Sequence, residues 1–244
     1  MKIDQLIALA AEQPTRVSRR SGVSRSTLKR VGDGTSEPTL STLREVALAL
    51  GLDVRVSAAA ASDPHAAAAA RTLIDDSVPE DPGDAEVRAW LERFGRWGIN
   101  DPLTLVAEAG VLQGLTVRPG ARFLNARPGA LAELPRLLAG GGAQWALSGA
   151  AAVTVIRGEL VAGPTVLWHS GLRGDQLGAL GAELGEETGD AATADLIIVP
   201  AGATELVGAT PQGPLNFVAP VQLVIDLHSL RMYREAEFLT AGWR

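Results

Sequence analysis

The chain has no cysteine. That absence excludes disulfides and thiolate-bound metals, and it suits a reducing, cytoplasmic location. No run of about 18 apolar residues free of charge is present, so no membrane-spanning helix is expected. The first residues carry Asp4 inside an amphipathic stretch, not the basic-then-apolar order of a signal peptide. Histidine is scarce at three residues. His65 stands alone, and His169 and His228 lack a third ligand, so neither a metal nor a cofactor is expected. What remains is ample: 244 residues with 46% hydrophobic content suffice for one large core or two smaller ones.

The net charge of −6 is unevenly divided. Residues 1–56 hold nine basic and six acidic residues, a net +3, which leaves −9 for the rest. A basic head on an acidic body is the pattern of a nucleic-acid-reading module joined to a second, regulatory domain.

Residues 17–38 read VSRRSGVSRSTLKRVGDGTSEP. Gly22 marks a tight turn between two short helices, because it tolerates positive φ. Ser24 stands where an N-cap belongs. Leu28 and Val31 are three apart and share an inner face, which leaves Arg25, Ser26, Lys29 and Arg30 outward. Arginine pairs bidentately with guanine edges, and small hydroxyls adapt to several bases, so this outer face suits a major groove. The plainer reading is a structural helix pair within a helical bundle.

At these residues the chain resembles the phage-repressor (Cro-type, XRE) helix-turn-helix family over about residues 3–54. The pattern is carried by Ser18, Gly22, Val23-Ser24, the helix 25–31, Gly34, Pro38 and Leu40-Ser-Thr-Leu43. Ser18 replaces the usual alanine, and Gly32 stands where glutamate is common, at a cost of up to about 1 kcal/mol in helix stability. Base contacts are expected from Arg25, Ser26 and Arg30 and phosphate contacts from Lys29 and Thr35, with Ser24 and Thr27 completing the DNA-facing set. The resemblance implies phosphate contacts from Thr15 and Arg16, whose plainer reading is a helix cap.

Residues 3–12 have helical spacing, and Thr39 to Leu50 is a further helix ended by Gly51. The alanine-rich residues 57–70, whose alanines favour helix but are interrupted by Asp63-Pro64, and the acidic, proline-bearing residues 74–84 are expected as a partly helical linker over 57–84. The domains expected are thus 1–56, all-α, and 85–244, an α/β or α+β body. Helices are expected over 85–97, 103–109, 130–138, 143–156, 173–184 and 219–239. Strands are expected within 115–124 and over 164–169 and 194–200, with a turn and a short strand in 212–217. Trp90, Phe94 and Trp97 form a stripe read as core in preference to a ligand cage. Gly140-Gly141-Gly142 ahead of a helix raises the thought of a phosphate cradle. Neither a Walker A spacing nor a dinucleotide fingerprint is present, and a tight turn is the expected role.

Residues 144–239 resemble the C-terminal part of the AbiEi family of bacterial antitoxins from type IV toxin–antitoxin systems. The carriers are Trp145-Ala-Leu-Ser-Gly149-Ala-Ala151, Thr165-Val-Leu-Trp168, Ala194-Asp-Leu-Ile-Ile-Val-Pro200 and Ala219-Pro-Val-Gln222-Leu-Val-Ile-Asp226-Leu227. Arg231 and Arg234-Glu235-Ala236 continue the motif, but its glycine is missing. The resemblance implies a degenerate nucleotidyltransferase fold. Catalysis by that fold needs closely placed carboxylates for Mg²⁺. Residues 165–170 offer none and Asp195 is alone, so no enzyme is expected. Gln222 and Asp226 lie on one helix face and read either as a partner contact or as a buried network tying that helix to the sheet, the second being favoured.

Together these point to a DNA-binding transcriptional regulator: a homodimer on a double-stranded operator, the autorepressor and antitoxin of a toxin operon whose nucleotidyltransferase-type toxin is opposed indirectly. Two rivals stand beside it. One is a one-component repressor whose body senses a small molecule or nucleotide. The other is an active nucleotidyltransferase on a DNA-binding head.

Overall fold

The computed structural model describes residues 2–79, 83–139 and 142–243, and the chain divides into two units, Met1–Ala59 and Ala60–Arg244. The first unit holds four helices: α1 (Ile3–Glu12), α2 (Pro14–Ser21), α3 (Arg25–Gly32) and α4 (Leu40–Ala49). The last three starts each have a local cause. Pro14 supplies the fixed φ of a first helical residue, and Ser24 and Thr39 accept from the backbone N–H of Thr27 and Thr42. The core is small and aliphatic: Leu6, Ala10, Val17, Leu43, Val46, Ala47 and Ala49 are buried, with Ile7, Val23 and Leu28 packed against them.

The second unit is a mixed α/β body. Its helices are α5 (Pro64–Ile74), α6 (Ala85–Trp97), α7 (Pro102–Gln113), α8 (Ala130–Leu137), α9 (Ala150–Arg157), α10 (Gly174–Leu184), α11 (Pro220–Ser229) and α12 (Tyr233–Thr240). Its strands are β1 (Arg122–Ala126), β2 (Gln144–Gly149), β3 (Thr165–Ser170), β4 (Gly185–Glu187), β5 (Leu196–Pro200), β6 (Thr210–Gln212) and β7 (Leu215–Phe217). The seven strands run β4-β1-β5-β3-β2-β7-β6 across one sheet. The central strand is β3, parallel to β5 on one side and antiparallel to β2 on the other. Residues 165–169 of β3 are all buried, although successive side chains point to opposite faces. Both faces of the sheet centre are therefore covered, which explains the continuous apolar runs of β3 and β5.

The sequence-based elements hold at α6, whose bounds are as expected, and closely at α8, α10, β3 and β5. Four readings need correction. First, the expected linker 57–84 is not a linker after residue 59: α5 is a helix whose Ala66 to Ala70 are buried against α6 and α7. Second, residues 143–156 are not one helix. Strand β2 comes first, and Gly149 turns the chain into α9 at φ +69° and ψ −143°, a conformation open only to glycine. A Cβ there would also collide with the Pro164 carbonyl. Third, the strand expected in 115–124 is largely displaced: Leu115–Val117 is a 3₁₀ turn and β1 begins at Arg122. Fourth, the closing helix is two helices, α11 and α12, separated at Arg231, a non-glycine residue at φ +60°.

Glycine also allows one close helix pair. A Cβ at Gly110 on α7 would lie 2.5 Å from the Ile225 carbonyl oxygen and from the Cβ of His228 on α11. Without one, the two helices approach closely enough to share a polar network. No helix among the described residues is long and apolar enough to cross a membrane.

Candidate nucleic-acid interface

The residues singled out in the head gather around α3. Gly22 ends α2 in the left-handed conformation at φ +71°, and two residues later the Ser24 side chain opens α3 by accepting from the Thr27 N–H at 3.1 Å. Ser24 Oγ also lies 2.8 Å from both Ser26 Oγ and Thr27 Oγ1. Three hydroxyls thus form one exposed to half-buried knot at the helix start. Leu28 and Val31 turn inward and are half-buried, whereas Arg25, Ser26, Lys29 and Arg30 are exposed. Arg25, Lys29 and Arg30 make neither an ion pair nor a side-chain hydrogen bond among the described residues, so their donors face solvent.

The flanking residues are placed differently. Thr15 and Arg16 lie exposed in the first turn of α2, and the Arg16 guanidinium donates to Gln13 Oε1 at 2.8 Å. Thr35 closes the other end of α3. Both its N–H and its hydroxyl donate to the Arg30 carbonyl, at 2.9 and 3.0 Å. Its hydroxyl is therefore occupied, while the side chain stays exposed. Gly32 remains helical, and a Cβ there would meet only Ile7 Cγ2 at an ordinary 3.8 Å.

The body residues singled out in sequence behave otherwise. Gln222 and Asp226 are fully buried on α11. Asp226 Oδ1 accepts from Gln113 Nε2 at 2.7 Å and from Gln222 Nε2 at 2.8 Å, and its Oδ2 accepts from Trp168 Nε1 at 2.8 Å. The buried Ser148 hydroxyl lies beside the carboxylate. Burial pushes the Asp226 carboxyl above the usual carboxylate range, against the pull of these donors. The network ties α11 to α7 and to β3, as the tying role expects, and Gln113 is a member that no sequence signal marked. Arg231 and Arg234 are exposed and unpaired among the described residues.

His169 and His228 sit on β3 and α11, and burial lowers the pKa of each. Both ring nitrogens of His169 are buried without a partner. Among the described residues no group of three or more His, Asp or Glu side chains could hold a metal ion. Asp195 accepts from the Ala126 N–H at 2.6 Å, a bond that pins its loop to β1. Of the glycine run, Gly140 and Gly141 lie outside the described residues. Gly142 leads into β2 and not into a helix, so no helix N-terminus stands there to receive a phosphate. Trp90 and Phe94 are buried in the core, as expected, whereas Trp97 packs edge-on against both and stays 51% exposed. Comparison of the chain with protein-family models, with curated proteins and with solved structures finds no match.

Proposed function

We propose that the protein is a cytoplasmic DNA-binding transcriptional regulator, and that α2 and α3 act as a helix-turn-helix unit with α3 lying in the major groove. The observation that carries this reading is the outer face of α3. Two arginines and a lysine are exposed there without protein partners, beside a serine whose hydroxyl meets that of Ser24, on a capped helix in a head of net charge +3. An arginine freed in this way has its whole guanidinium fork available to a guanine edge. Arg25, Ser26 and Arg30 are assigned to bases. Lys29, with Thr15, Arg16 and Thr35 at the two flanks, is assigned to phosphates, Thr35 through contacts other than its occupied hydroxyl proton. Ser24 and Thr27 hold the start of the helix against the backbone.

One short helix buries little surface. Two heads on half-sites about 34 Å apart would supply the missing affinity, which makes a homodimer the working form. The resemblance of residues 144–239 to AbiEi antitoxins motivates the finer proposal: an autorepressor and antitoxin, with no enzymatic activity of its own and an indirect relation to a nucleotidyltransferase-type toxin.

The test is a pair of variants on DNA selected by the protein from a random pool. Arg25→Ala and Arg30→Ala should each weaken binding by about 1–3 kcal/mol and relax the preference at one base position. Unchanged affinity and unchanged preference in both would overturn the assignment.

A further inference from the structure

The body holds a cavity of about 310 Å³ between the start of α5, the start of α6 and the 202–207 loop. That is the size of a small-ligand pocket. Its walls are aliphatic, with Ala68, Val78, Val87 and Val207 among them. The loop on the far side is held by Arg71, whose guanidinium is fully buried. It donates to Asp75 Oδ2, to the Val207 carbonyl at 2.9 Å and to the Thr204 carbonyl. The near side is equally fixed, since the Asp63 N–H donates to the Leu112 carbonyl at 2.8 Å.

One polar device faces this space. His65 Nδ1 lies 2.8 Å from Asp63 Oδ1, and Trp90 Nε1 donates to Asp63 Oδ2 at 2.8 Å. Hydrogen bonds from Trp90 and His65 outweigh the burial of Asp63, and its carboxyl titrates below the usual range. The ionised carboxylate can only accept, so Nδ1 carries a hydrogen, and the uncharged tautomer that this selects has its lone pair on Nε2. Asp84 Oδ2 stands 3.9 Å from that Nε2, while Asp84 Oδ1 accepts from the Glu86 N–H as the cap of α6. Two acceptors therefore face each other across a gap too wide for a direct hydrogen bond. A single nitrogen bearing two hydrogens can reach both.

The other charges around the cavity point the same way. Glu205 lines it but is already bonded to Arg118 and to the Gly202 N–H, each at 2.8 Å. No lysine or arginine lines it among the described residues. An anionic ligand would meet carboxylates and no cation. We propose that this cavity is a binding site for a compact organic amine, with its ammonium held between His65 Nε2 and Asp84 Oδ2 and its hydrocarbon part on the aliphatic walls. The proposal does not depend on what the head binds.

The test is calorimetry of the full chain at neutral pH with cyclohexylammonium, cyclohexanol and cyclohexanecarboxylate, read alongside the His65 ring-nitrogen signals in long-range ¹H–¹⁵N spectra. Saturable binding of the ammonium alone is expected, with a shift of the His65 Nε2 signal. Asp84→Asn keeps a good helix cap, and His65→Gln removes the ring. Each should weaken binding at least about tenfold, the usual worth of a charge-assisted hydrogen bond. Absence of saturable binding at millimolar ammonium, equal binding of the carboxylate, or binding that both variants leave unchanged would overturn the proposal.

Discussion

Ser24 and Gly32 pull the stability of α3 in opposite directions. Ser24 satisfies an otherwise orphaned N–H at the helix start, and Ser24→Ala should cost the head about 1 kcal/mol. Gly32 gives the same helix a residue with too much freedom and leaves room for a methyl group. Gly32→Ala should therefore stabilise the head by about 0.5–1 kcal/mol. Hydrogen exchange at the amides of residues 25–32 in the intact protein would read both changes. Slower exchange in Ser24→Ala, or faster exchange in Gly32→Ala, would contradict the roles given to these residues. Both positions were legible in the sequence because capping and turn formation depend on neighbours within three or four residues. Gln113 was not legible. Its partners Asp226 and Gln222 lie more than a hundred positions away, and nothing local distinguishes a buried glutamine from a solvated one.

At the scale of elements, the same rule separates what sequence reasoning finds from what it misses. Helix α6 could be bounded closely because Asp84 caps its start and Gly98 ends it at positive φ. The alanines of α5 look like filler. Small side chains are what a helix needs when neighbours press on it from several sides, and that requirement belongs to the packing. The break between α11 and α12 carries no glycine or proline signal, because Arg231 occupies the left-handed position. Strand β2 was hidden by alanines that favour helix, until Gly149 showed where the backbone turns. The polar tie among α11, α7 and β3 makes its own prediction. Asp226→Ala would leave the Trp168 indole N–H and the Gln113 amide buried without an acceptor, and would leave Gln222 only the Gln113 carbonyl oxygen. Relief of a buried carboxylate offsets part of that loss, and a net destabilisation of about 2–4 kcal/mol is expected. All five tryptophans lie beyond residue 59, so tryptophan fluorescence in a urea titration reports the body alone. A midpoint unchanged from the parent would show that the network does not hold the body together.

For the whole molecule, the division of charge matters more than its sum. A net −6 chain is repelled by DNA, but its first unit carries +3, and screening confines the field of each unit to about 8–10 Å at physiological salt. On the proposed reading, the head acts on DNA by its own charge. Affinity gained this way comes from counterions released at phosphates and has to fall as salt rises. The most direct measurement is a salt-titrated gel shift with DNA from immediately upstream of the coding region and a scrambled duplex of equal length. Tight binding to the upstream DNA, at least about a thousandfold above the scrambled duplex and weakening steeply with salt, is the expected result. Weak binding that is equal on both duplexes would contradict the assignment of α3 as a reader of sequence, and would leave the head as an assembly module for the body.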